Sequence, residues 1–153
     1  MKALWYFVHM VGQVAWLGGA MAAMAVAFAA KRERPELMGV VVRLQASIYR
    51  ALVGPGALLT VVSGFMLTLQ MYSVVTAVGL SHWLMAMQGV GIVAGLVVLI
   101  HTVPTSAKLS RLEPTGTTAT AFAAIRKRLV VSGMTSSLLG MLALLTSALY
   151  QIG

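Results

Sequence analysis

Fifty-seven consecutive residues, Ala51–Ala107, contain no acid and no lysine or arginine. Two further stretches share this property: Ala3–Ala30 with 28 residues and Leu129–Gly153 with 25. A helix crosses a bilayer core of about 30 Å in about 20 residues at 1.5 Å each. The terminal stretches therefore predict one crossing each. The central one must fold back, and its only polar, aromatic-marked break lies between Tyr72 and Trp83. Four spans follow, at about 4–29, 51–72, 82–103 and 129–151, forming a single integral membrane domain over residues 1–153.

Composition agrees. Charged residues make up 9 % of the chain, against about 25 % in a soluble domain. Ten of the eleven lysines and arginines fall in segments 31–50 and 108–128, and only Lys2 lies elsewhere. Basic loops stay in the cytoplasm, which predicts that both termini and the uncharged turn at 73–81 are outside. All three acids, Glu33, Glu36 and Glu113, then share the cytoplasmic side with the basic residues. A net charge of +8 needs no nucleic acid, because basic loops facing anionic lipid account for it. Residues 1–29 read as a first span rather than a cleaved signal peptide: the apolar run is about twice the usual length and contains His9 and Gln13. The absence of cysteine removes disulfides, thiolate metal sites and thioether haem attachment.

Segment Glu36–Arg50 is amphipathic and reads as a cytoplasmic extension of the second span. Gly54-Pro55-Gly56 predicts a kink where that span enters the bilayer. Residues 105–121 read as the longest loop, with Phe122–Arg128 starting the fourth helix. Each span carries small residues spaced to share a face: Ala15, Gly19 and Ala23; Gly56, Thr60, Gly64 and Thr68; Gly91 and Gly95; Ser132, Ser136 and Gly140. Such seams let backbones approach closely, within one bundle or between copies in a homo-oligomer. Short connections then predict an all-α, up-down-up-down four-helix bundle.

An ionisable side chain inside a span is expensive and marks a site by default. His9 and His82 lie near the outer ends of spans one and three. His101, nineteen residues after His82, is about 28 Å deeper. Two sites are therefore possible: an outer one with His9 and His82, and an inner one with His101 near Arg43 and Arg50. His9, Gln13 and Trp16 share one face of span one, with Gly12 leaving room beside them. Neutral imidazoles on facing helices can ligate haem b, and Met85 is another possible axial ligand. His82-Trp83 equally reads as an interfacial anchor. Arg43 and Arg50, with Tyr49, suit haem propionates or lipid phosphates, or act as orientation signals alone. His9, His82 and the methionines would also suit Cu(I), but the eleven methionines are scattered over all four spans and read better as packing. No Ser-His-Asp set or phosphate loop occurs, and no carboxylate pair falls within the membrane.

The run His9-x6-Trp16-Leu17-Gly18-Gly19 is followed by Arg43-Leu44, Tyr49-Arg50, Pro55 to Gly64, His82-Trp83-Leu84 and His101. In this order the chain resembles the small four-helix membrane proteins of the uncharacterised DUF2269 type. It is more distantly similar to the HemJ-type protoporphyrinogen oxidases and the CopD-type copper-resistance domain. The resemblance covers about residues 5–105. The HemJ likeness implies haem b with His9 as a ligand. That family also carries a lysine shortly after the tryptophan of span three. Here Met85, Ala86, Met87 and Gln88 fill the stretch, and no lysine occurs between Arg50 and Lys108. The expectation is a haem-b-binding membrane protein in electron transfer or tetrapyrrole handling, without porphyrinogen oxidation. A cofactor-free accessory protein and a copper-handling protein are the alternatives.

Overall fold

The computed structural model describes residues 2–30, 37–78 and 82–152, with side chains of 71–78 and 150–152 excepted. All described residues outside 110–115 are helical. Four helices are long and apolar enough to cross a membrane. Helix α1 is Lys2–Ala29. Helix α2 starts at Met38 and runs on to Val78, its apolar span being Met38–Gln70. Helix α3 is His82–Leu109, and helix α4 is Ala119–Ile152. The extension of the second span before Arg50 is thus part of one continuous helix, and the basic segment before Leu129 belongs to α4.

Two boundaries differ from the sequence reading. Helix α2 passes Tyr72 and continues to Val78, and residues 79–81 of the expected turn lie outside the described residues. The predicted loop at 105–121 is only 110–118, because α3 runs through Pro104 to Leu109 and α4 begins at Ala119. Thr105 and Ser106 resemble loop residues in composition, but Ser106 is buried and its hydroxyl donates to the Val103 carbonyl. Tertiary burial overrides weak helix propensity there.

Helices α1 and α2 pack antiparallel and almost backbone to backbone. A Cβ added at Gly56 would lie 2.5 Å from the Trp16 nitrogen, and one at Gly12 would lie 2.8 Å from the Thr60 nitrogen. Gly19 meets Val53 and Gly64 meets His9 in the same register. Helices α2 and α3 are also antiparallel, with Gly54 facing Val103 and Gly95 facing Val61. Helix α4 packs along α3 and touches the first pair where Gly140 meets Leu17 and Gly133 meets the Tyr49 hydroxyl. These seams are used inside the bundle.

Each of α1, α2 and α3 contains a wide π turn, at Val14–Gly18, Tyr49–Val53 and Val97–Thr102. Two of them end two residues before a proline, Pro55 and Pro104. A proline within a helix removes a hydrogen bond and clashes with the carbonyl four residues earlier. The wider turn relieves that clash, so the predicted kink at Gly54-Pro55-Gly56 takes the form of a π turn before it. The three turns lie near one level, as the Gly19–Val53 and Gly54–Val103 approaches show. On the basic side of this level the interior is filled by Val42, Thr102, Ser106, Leu109, Phe122 and Leu129, all buried. The other side opens into a cavity.

Candidate functional site

The cavity has a volume of about 590 Å³ and takes its wall from all four helices. Tyr6, His9, Gln13 and Trp16 come from α1, and Thr60, Gly64, Phe65 and Thr68 from α2. Leu84, Met87, Gln88 and Gly91 come from α3, and Gly140, Leu144 and Ser147 from α4. Its size lies within the range of about 300–1,000 Å³ usual for small-molecule sites. Among the described residues no acid, lysine or arginine lines it. Between Ala3 and Ala30, Ala51 and Ala107, and Leu129 and Gly153 the chain has no acid, lysine or arginine to offer.

His9 is held at both ring nitrogens. Nδ1 is 3.0 Å from the Thr60 carbonyl oxygen and 3.0 Å from Ser63 Oγ. A carbonyl only accepts, so Nδ1 carries the proton and donates. The Ser63 hydroxyl in turn donates to the Leu59 carbonyl, leaving its oxygen to accept from His9. The Gln13 amide nitrogen, which only donates, lies 3.2 Å from Nε2, so Nε2 bears the lone pair and the imidazole is the neutral Nδ1–H tautomer. The approach of His9 to α2 depends on Gly64, where an added Cβ would come within 3.2 Å of the imidazole Cε1.

A second arm starts from the same helix. Thr68 donates to the Gly64 carbonyl at 3.0 Å, and Gln88 of α3 donates its amide to the Thr68 hydroxyl. Both arms run from a carboxamide in the cavity wall to a backbone carbonyl of α2. Sequence reading found the first carboxamide and passed over the second. Gln88 and Gln70 are the only glutamines between Ala51 and Ala107, so an unpaired amide within an apolar span was the available signal.

The structure brings His9, Gln13 and Trp16 together as expected. His82 and Met85 are exposed and lie outside the lining, so His82 does not share the cavity with His9. His101 and Arg50 are also exposed, and no hydrogen bond or ion pair joins His101 to Arg43 or Arg50 among the described residues. Arg43 is paired with Glu113 at 3.7 Å, with both side chains more than half exposed. Such a solvated pair adds little stability, but it joins the 110–115 connection to α2. Trp16 is 3 % exposed, and its indole N–H has no acceptor among the described residues. That nitrogen is sealed off, so in this state Trp16 offers the cavity its ring rather than its N–H.

Comparison of the chain with family models, curated proteins and solved structures gives no match. The chemistry of the site therefore rests on its own residues. A neutral imidazole, two carboxamides and the hydroxyls of Tyr6, Thr60, Thr68 and Ser147 can orient an apolar molecule through hydrogen bonds. His9 Nε2 can also ligate a metal once Gln13 turns aside.

Proposed function

We propose that this chain is a multi-pass protein of the bacterial cytoplasmic membrane that binds haem b in this cavity, with His9 as axial ligand, and serves electron transfer or tetrapyrrole handling. The observation that carries the reading is the state of His9. Histidines that ligate metals through Nε2 characteristically donate Nδ1–H to a carbonyl or carboxylate, which fixes tautomer and ring orientation. Thr60 supplies that carbonyl here. Gly64 lets His9 seat against α2, and Gly91 leaves width for a flat ring. Trp16 and Phe65 provide aromatic wall, and Met10 and Met87 are the thioethers in the lining. Haem, when bound, supplies one-electron chemistry, and its potential would follow from the ligands and the low dielectric around it. With no cation in the lining, the propionates would lie toward the Tyr6 and Ser147 end, where Lys2 follows one turn beyond Tyr6. Arg43 and Arg50, at the opposite end, then serve anionic lipid of the cytoplasmic leaflet rather than the haem.

Optical spectra of the purified protein, oxidised and dithionite-reduced, test the proposal. A Soret band that disappears in His9→Ala is the expected result, and full haem retention in that variant overturns the ligand assignment. His82→Ala is expected to leave the spectrum unchanged. A cofactor-free accessory role is the second reading, favoured by the way Gln13 already satisfies Nε2. A preparation that stays colourless after haem is supplied supports it, and metal analysis of the same sample tests copper handling.

A further inference from the structure

We infer that the haem-free bundle binds an uncharged, lipid-soluble ring molecule bearing two hydroxyl groups, of the hydroquinone class, between the carboxamides of Gln13 and Gln88. This goes beyond haem binding and does not depend on it, because here Gln13 stays on His9.

Three observations converge. The first is charge: the half of the bundle that holds the cavity carries no charged side chain except Lys2. A carboxylate, phosphate or ammonium group seated in the cavity would lose its hydration without gaining a counter-charge, at a cost of several kcal/mol. The occupant's seated part is therefore neutral.

The second is the direction of the hydrogen-bond arms. Gln13 donates to His9 Nε2, and His9 donates from Nδ1 to the Thr60 carbonyl. Gln88 donates to Thr68, and Thr68 donates to the Gly64 carbonyl. Each arm thus fixes one N–H of a carboxamide and leaves its carbonyl oxygen and its second N–H without a protein partner among the described residues. A hydroxyl donating to that oxygen extends the chain in its existing polarity, so every bond along it is strengthened. A hydroxyl can also accept from the second N–H, whereas a group that only accepts would use that N–H and leave the oxygen unpaired.

The third is placement. The two carboxamides stand on different helices, α1 and α3, and both are tied back to α2. They line one apolar cavity of about 590 Å³. A ring with a hydroxyl on each of two edges presents one donor to each wall, while its apolar body faces Phe65 and Leu144. Solubility in lipid follows from the apolar body of such a ring and matches a cavity walled by membrane helices.

The test uses haem-free full-length protein in nanodiscs. A benzoquinol with a ten-carbon tail, kept reduced, is partitioned between protein-containing and protein-free discs of the same lipid. Its dimethyl ether is run beside it. Saturable binding of the diol at one per chain, weakened about tenfold or more by O-methylation, is the expected result for two hydrogen bonds of ordinary strength. Gln13→Leu and Gln88→Leu should each remove most of the preference for the diol while leaving tail-driven binding. Gly91→Leu should abolish saturable binding of both compounds, because a side chain there points into open cavity and meets no atom within 4 Å of its Cβ. Equal binding of diol and ether by the wild-type protein overturns the inference, as does the absence of saturable binding. A preference that survives in the double glutamine variant overturns it too. The wild-type comparison needs no variant to fold. Haem uptake is scored separately by its Soret band, so failure of the haem proposal and failure of this one are read independently.

Discussion

At the residue scale, the glycines divide into those that close the bundle and those that open it. Gly56 belongs to the first kind: a Cβ there would collide with backbone of α1 at 2.5 and 2.8 Å. Backbone cannot rotate away as the end of a side chain can, so the helices must separate along their tightest contact. Gly56→Ala is expected to cost about 1–3 kcal/mol, as overpacking does, and to lower the thermal midpoint of the detergent-solubilised protein. Gly91→Ala meets no atom and gains helix propensity of about 0.8–1 kcal/mol, so its midpoint should stay or rise. A harmless Gly56→Ala would contradict the close approach. Both glycines stood in seams that spacing alone identified, yet spacing could not distinguish them. What separates them is whether a neighbour's backbone or empty space lies opposite. The same limit applied to the histidines: depth along a span placed His82 level with His9, but only helix rotation shows that one faces the cavity and the other is exposed.

At the scale of the elements, the four helices were legible because charge-free length is a property of the sequence itself. Their ends were less so. Tyr72 and Thr105 carry local signals for turns, whereas the helices continue past both, at Thr105 with Ser106 buried and a π turn just before Pro104. The pairing of α2 with α3 has a direct test in a chain without native cysteine. A Cβ at Gly95 would lie 3.9 Å from the Cβ of Val61, within the span of about 3.5–4.5 Å that a disulfide bridges. Val61→Cys with Gly95→Cys is therefore expected to form an intramolecular bond under mild oxidation. Val62→Cys with Gly95→Cys should not, because the side chain one residue on is turned by about 100°. The outcome is read by the mobility of the oxidised chain after cleavage between the two helices. Cross-linking of both pairs to the same extent would mean that α2 and α3 slide or rotate against each other.

At the scale of the whole molecule, the charge asymmetry and the packing asymmetry coincide. Ten of eleven lysines and arginines flank the end where the interior is filled, while the cavity occupies the end with only Lys2. The sequence showed the first asymmetry, but the second needed coordinates because it depends on which apolar side chains meet. If basic segments are retained in the cytoplasm, the cavity lies in the outer leaflet half, and its occupant arrives from that side or laterally from lipid. A membrane-impermeant maleimide decides this in intact cells. Thr115→Cys sits in the connection between α3 and α4 and is exposed, so it should label only after the cells are opened. Ala3→Cys, at the start of α1 and also exposed, should label in intact cells. Both variants are exposed substitutions away from the seams, so folding is not at stake. The reverse labelling pattern would turn the molecule over and place His9 with its cavity toward the cytoplasm. In that case the haem and quinol experiments would stand unchanged, but any redox partner would have to be sought on the inner side.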